Sequence, residues 1–342
     1  MIRYFQNACI LTRGYDMKKM LFIGLAVLLI AAIAFSGCLG KSTDVIVIGY
    51  QPSTHQMAYS TAKALGWWES NLTNMPGVAG VSDRSFPNGP PEATALSSNA
   101  IQVAYIGAAP LIPAVAQENA DLKIIAAVQI SGSSLVVPTD AVYNGPADLA
   151  GKTIATFPPG SIQDTLIKQW LIDNGVDLND VTIRGMDSGE AQTALMAGQV
   201  DAVFLPHPAP SIIVQNGYGK VVMDSGDMEP GHACCVLAVS QSFIDSNPDL
   251  VREIVKIHIE STKYTQDHPE EAARYYSEVT GVSEELILKS INEWDGQWIS
   301  DPHQIEDFVV SYAKSQYEQG LVPKLLTSED LFDMSFYDDY FK

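Results

Sequence analysis

Residues 151–175 read GKTIATFPPGSIQDTLIKQWLIDNG, and this stretch decides the fold. Residues 153–157 make a short strand, Pro158, Pro159 and Gly160 a tight loop, and an amphipathic helix begins near Ser161. Ser161 stands where an N-cap belongs, its hydroxyl placed to accept one of the helix's orphan N–H groups. The loop carries no charged side chain. What it offers a ligand is free backbone N–H groups at the positive end of a helix dipole, suited to an anion or a polar carbonyl. The same strand, small-residue loop and helix recur upstream, at 44–66 and at 102–119. Three such ends aimed at one cleft make a small-molecule site.

Working outward, further strands are expected at 122–129, 134–138, 181–186, 200–205, 220–223 and 234–239. Helices are expected at 91–99, at 188–197 with Ser188 as N-cap, and at 209–215. Trp67 and Trp68 close the helix at 56–66 and pack at its end. From about residue 245 the chain turns all-helical, with helices at 248–267, 269–280, 283–294 and 302–319. Strands alternating with helices imply parallel α/β units, and the later helices fold back over the first of them. A length of 342 residues suits two domains of moderate size. Two α/β lobes with ligand-facing loops at their strand ends make the crevice between them the default site.

The N-terminus reads as targeting, not fold. Met17, Lys18 and Lys19 form a short basic region, an apolar run spans 21–35, and Ser36-Gly37-Cys38 resembles a lipoprotein cleavage site. Phe35 departs from the usual Leu, and an uncleaved anchor helix is the alternative. Residues 1–37 are therefore a signal with an upstream extension, and 38–43 a lipid-attachment linker with Cys38 as the lipidated residue. Either form places the protein outside the cell membrane and anchored to it. Removing 1–37 takes four basic residues (Arg3, Arg13, Lys18, Lys19) from 20 and one acid (Asp16) from 40. The remainder holds 16 against 39, a net charge of −23. Such a surface repels nucleic acid and anionic headgroups.

The familiar catalytic patterns fail. Gly151-Lys152-Thr153 mimics the end of a phosphate-binding loop, but Pro146 stands where that motif needs Gly, and the triplet precedes its strand. There is no Gly-x-Ser-x-Gly elbow, Cys-x-x-Cys pair or His-Glu-x-x-His pattern. His232, Cys234 and Cys235 offer soft-metal ligands. In a regular strand, however, adjacent cysteines point to opposite faces, so neither a metal nor a cofactor is expected. His55 and His207 sit at strand ends, His207 directly after 200–205 in Pro206-His207-Pro208, where it can donate to an anionic or carbonyl oxygen or be held by local backbone bonds. Tyr50, Tyr105 and Phe157 occupy the same ends and could wall the pocket or be plain core.

The order of motifs is more specific than any one of them. Tyr50-Gln51-Pro52-Ser53-Thr54-His55, Tyr105-Ile106-Gly107-Ala108-Ala109-Pro110, Asp148 through Ala155, Gly160-Ser161 and Ala194-Leu195-x-x-Gly198-x-x-Asp201-Ala202 follow one another. This resembles the sulfonate/taurine/nitrate and thiamine-pyrimidine group of solute-binding proteins that feed ABC importers, over roughly 44–340. The resemblance implies an α/β, two-lobed periplasmic-binding-protein-like type II fold with C-terminal helices packing on lobe 1. Lobe 1 would comprise 44–138 plus 237–342 and lobe 2 139–236, with crossings near 137–141 and 231–237. The implied ligand contacts are Gln51, Ser53, Thr54, His55, Gly107, Ala108, Ala109, Gly160, Ser161, Ile162, Gln163 and His207. The partners implied are a small-molecule ligand (an anion or a small heteroaromatic) and a membrane ABC permease, for a monomer that binds no nucleic acid. Cys234 and Cys235 match only part of a Cys-rich motif in pyrimidine-synthesising relatives, so no enzymatic activity is expected.

Overall fold

The computed structural model describes residues 44–117 and 121–342. The expected signal, the Cys38 lipid site and the end of the helix at 110–119 fall wholly or partly outside the described residues. No helix among the described residues is long and apolar enough to cross a membrane.

Two sheets organise Asp44–Lys342. The first has six strands in the order β11-β4-β10-β3-β1-β2: β1 (Asp44–Tyr50), β2 (Val78–Ser85), β3 (Val103–Gly107), β4 (Leu122–Ile130), β10 (Ala233–Ser240) and β11 (Gln297–Trp298). The second has five in the order β7-β6-β8-β5-β9: β5 (Ser133–Pro138), β6 (Thr153–Thr156), β7 (Thr182–Gly185), β8 (Ala202–Pro206) and β9 (Gly219–Asp224). β1 runs parallel to β2 and β3, and β6 parallel to β7 and β8, as helical crossovers require. β10 is antiparallel to β3 and β4, and β5 to β8 and β9, because these two strands carry the chain between the sheets.

The crossings differ from the expected boundaries. Ser133–Pro138 pairs with β8 and β9, so the first crossing lies at Ser131 and Gly132, not after residue 138. Both flanking strands are apolar, and two residues leave no compositional break to read. The second crossing lies at Gly231 and His232, inside the expected 231–237, and the return to the first sheet comes before residue 237 since Ala233 already pairs with β4. The two crossings touch, the Ser131 N–H donating to the His232 carbonyl at 3.1 Å.

Gly132 cannot carry a side chain. Its φ is +86°, and a Cβ there would lie 2.5 Å from Gln129 Nε2 and 2.9 Å from His55 Nε2. Asp295, from the turn after the helix Glu284–Glu293, accepts from the Gly132 N–H at 2.8 Å and the Gly226 N–H at 2.5 Å. One carboxylate thereby ties the crossing to the second sheet.

Side-chain caps account for several helix starts. Ser161 caps Ile162–Asp173, accepting from the Asp164 N–H, and Ser283 caps Glu284–Glu293 in the same way. Asp187, not Ser188, occupies the N-cap of Ser188–Met196. Trp67 and Trp68 do not close the preceding helix. Gly66, at φ +70°, ends it, and the two tryptophans open a short helix, Trp67–Leu72. Trp68 is buried and donates to the Tyr59 carbonyl, a packing role.

The long helix Pro248–Asp267 buries Leu250, Val251, Ile254, Val255 and Ile257 in the first sheet's core, each contributing about 1.5–3 kcal/mol by leaving water. Ala272, Ala273 and Tyr276 of Pro269–Thr280 pack with Met57, Ile287 and Trp298. The C-terminal helices thus lie on the first sheet's half, as expected.

Candidate functional site

Helices start where the strands end, and several of them start at one cavity. Gly89 is the first residue of Gly89–Ser97, Gly107 the N-cap of Ala108–Val115, and Ser53 precedes the 3-10 turn Thr54–Gln56; these come from the first sheet's half. From the second come Ser161, Ser188, and Ala209 at the start of Ala209–Gln215. All six residues line a cavity of about 240 Å³. Gly89 is required there, because a Cβ would stand 2.4 Å from Pro110 Cγ. None of the described lining residues is Lys, Arg, Asp or Glu. The positive ends of backbone dipoles are therefore the main source of field along this lining.

Of the expected contacts, Gln51, Ser53, His55, Gly107, Ser161, Ile162, Gln163 and His207 line this cavity. Thr54, Ala108, Ala109 and Gly160 do not. Ala108 and Ala109 are buried in the first sheet's core, and Gly160 faces a different groove beside Pro159 and Asp164. Thr54 lies behind the wall, its N–H donating to the His207 carbonyl at 3.0 Å, so its main chain joins the two halves. Phe157 lines the cavity, whereas Tyr50 stacks on Tyr59 and Tyr105 is core.

His207 is held by serine hydroxyls, two of them distant in sequence, and not by local backbone bonds. Ser134 donates to Asp224 at 2.6 Å and so accepts from His207 Nε2 at 3.0 Å. Nδ1 then accepts from the hydroxyls of Ser290 at 2.8 Å and Ser211 at 3.1 Å. Burial, with His55 nearby as a smaller cause, pushes His207 down to about 3, so the ring is neutral. Both ring nitrogens are committed within the protein, which corrects the expectation of a free donor.

The thiols bring the larger surprise. In the ladder with β4 the register shifts between Ala233 and Cys235 and again between Cys235 and Val236, leaving Cys234 without a partner. This bulge cancels the alternation that would have parted the two side chains. Their sulfurs lie 3.9 Å apart, and Cys234 Sγ is 3.2 Å from His55 Nδ1. The neighbouring sulfur and then burial hold Cys234 well above the usual thiol range, while the same contact, against burial, lowers Cys235.

Several residues escaped the sequence reading. Glu92 is fully buried beneath Gln51, whose Nε2 donates to it at 2.8 Å; burial raises its pKa well above the carboxylate range, keeping it a neutral acid. Its helical spacing to Leu96, another buried residue, was the available signal. Tyr276 and Thr280 of the helix Pro269–Thr280 and Val282 just after it line the cavity, which no local pattern marks. Asn88 Nδ2 donates to Asp187 Oδ1 at 2.8 Å, joining the residues that precede two of the cavity's helices.

With two halves, antiparallel strands joining the sheets and helix starts meeting in the crevice, the protein has the periplasmic-binding-protein type II architecture. The chain belongs to the NMT1-like family, which it matches over residues 40–280. A group of Brucella proteins described as binding proteins, that of Brucella abortus (strain 2308) among them, is 25% identical over 217 residues, 60% of this chain and 66% of theirs. The taurine-binding periplasmic protein of Escherichia coli (strain K12) is 24% identical over 314 residues, 86% of this chain and 92% of its own. The alkanesulfonate-binding protein SsuA of Xanthomonas axonopodis pv. citri, bound to MOPS, superposes with a TM-score of 0.74 at 20% identity, covering 85% of this chain and 99% of that one. These relatives agree with the group that the ordered motifs resemble.

Proposed function

We propose that this protein is the solute-binding component of an ABC importer and that its ligand is a small oxyanion of the sulfonate, nitrate or taurine type. The observation that carries the reading is a cavity without charged side chains, ringed by helix N-termini from both halves. Such termini supply positive potential and, where no proline stands in the first turn, N–H donors to an anion without a charged side chain. Taurine itself also carries an ammonium, and no carboxylate lines the cavity to receive it, which favours a simple sulfonate or nitrate. The relatives named for taurine and alkanesulfonate binding support the same class.

In this reading the site consists of Gln51, Ser53, Gly107, Ser161, Ile162 and Gln163, with the Phe157 and Tyr276 rings as apolar wall. The sheets form two lobes that close on the ligand about the paired crossings at Ser131–Gly132 and Gly231–His232. The closed monomer then docks on a membrane permease, held outside the cell membrane by a lipid at Cys38. It is a binder and performs no chemistry.

The aromatic wall and the neutral amides of Gln51 and Gln163 favour a second reading, a thiamine-precursor pyrimidine. A thermal-shift panel of alkanesulfonates, nitrate, taurine, bicarbonate and pyrimidines separates the two. A ligand at a hundred times its Kd adds about 2.7 kcal/mol to stability and moves the midpoint by several degrees. A shift with sulfonates or nitrate supports the oxyanion reading; a shift with pyrimidines alone replaces it.

A further inference from the structure

We propose that His55, Cys234 and Cys235 bind one thiophilic closed-shell cation, Zn(II) or Cu(I), on the floor of the cavity. This goes beyond the oxyanion reading and stands without it. The three side chains offer one nitrogen and two sulfurs, all within 4.8 Å of one another. Tetrahedral Zn–S bonds of about 2.3 Å and Zn–N bonds of about 2.0 Å place sulfurs about 3.8 Å apart and sulfur and nitrogen about 3.5 Å apart. The structure has 3.9 Å between the sulfurs and 3.2 Å from Cys234 Sγ to His55 Nδ1. These two separations match to within a few tenths of an ångström, and Cys235 Sγ, within 4.8 Å of the imidazole nitrogen, closes in on binding to complete the set.

The surroundings are those of a ligand set. His55 Nε2 lies 2.6 Å from the Gly132 carbonyl, which can only accept, so Nε2 carries the hydrogen and the Nδ1 lone pair faces the sulfurs. Donation of the second ring N–H to a carbonyl is how metal-binding histidines are oriented. Gln56 Nε2 donates toward Cys235 Sγ at 3.8 Å, a contact in which the sulfur is the acceptor, as a thiolate would be. The bulge in β10 turns both thiols to one side, and Gly132 leaves room for the His55 ring. All three residues are at most 5% exposed yet line the cavity, which gives the ion its entry path and leaves its remaining position facing the ligand space. Imidazole and thiolate together suit Zn(II) and Cu(I) over Mg(II) or Ca(II).

The test uses the full chain with its thiols reduced. Zn(II) and Cu(I) are each titrated against a chromophoric chelator, and Co(II) serves as the spectroscopic probe. The expected result is one equivalent bound, a near-ultraviolet sulfur-to-cobalt band, and protection of Cys234 and Cys235 from alkylation that is lost when excess chelator removes the metal. Cys234→Ser, Cys235→Ser and His55→Gln should each weaken binding by roughly 100-fold or more, beyond the 10–100-fold typical of an outer residue. Thermal unfolding of the metal-free variants confirms that they fold. The tighter of the two ions names the cation. Failure of the reduced protein to bind either ion, or binding that survives Cys234→Ser with Cys235→Ser, overturns the proposal.

Discussion

Replacing His207 by Gln tests how the cavity floor is built. The ring is neutral and engaged at both nitrogens by Ser134, Ser290 and Ser211. Loss of these bonds should destabilise the variant at pH 7 by about 1–3 kcal/mol. The more telling quantity is how that difference changes with pH. His207 is pushed down to about 3 in the fold, whereas an unfolded histidine titrates near about 6.5. Below pH 6.5 the unfolded chain takes up a proton that the folded chain refuses, so acid removes stability from the parent. At pH 5 the interval is about 1.5 units, or about 2 kcal/mol. Gln does not titrate, so the gap between parent and variant should shrink by about 2 kcal/mol from pH 7 to pH 5. Other buried titrating groups, such as Glu92 and His258, are common to both proteins and cancel. Denaturant titrations at the two pH values measure the gap directly. A gap of equal size at both pH values would mean that folded His207 protonates freely, and the account of a sequestered ring would be wrong.

Further outcomes follow from single contacts. Ser161→Ala removes the N-cap of Ile162–Asp173 and should cost about 1 kcal/mol, read as a midpoint lower by a few degrees in a thermal melt. Asn88→Ala breaks the bond to Asp187 across the cavity's two sides. Circular dichroism should be unchanged, with ligand affinity lower by roughly 5-fold, about 1 kcal/mol in a calorimetric titration. Gly132→Ala forces a Cβ into Gln129 and a strained φ, so it should cost about 2–4 kcal/mol in denaturant titration, while Gly145→Ala, which has open space, should cost far less.

What could be read in advance was the local grammar. The strand at 153–156, its loop and the Ser161 cap follow from side-chain types and spacing, and the first strand at 44–50 matches to the residue. The alternation of strands and helices gave the fold class for the same reason. The first crossing was misplaced because β4 and β5 are both apolar and separated by two residues whose special conformation the sequence does not advertise. The thiol cluster was rejected by a sound rule, alternation along a strand, that a bulge suspends. Bulges depend on pairing with a distant strand, so they leave no local trace. Tyr276 and Glu92 were missed for a related cause: their place is set by how helices stack on a sheet, and helical periodicity alone marks a buried face without saying what lies beneath it.

The most direct measurement is a calorimetric titration of the full chain with an alkanesulfonate, repeated with Gln163→Glu. That change keeps the side chain's shape and adds one negative charge to the cavity wall. The account predicts saturable 1:1 binding to the parent and a loss of at least about tenfold in the variant, since repulsion in a buried site is worth more than about 1.4 kcal/mol. Equal binding by parent and variant would contradict the claim that the helix-ringed cavity holds an anion.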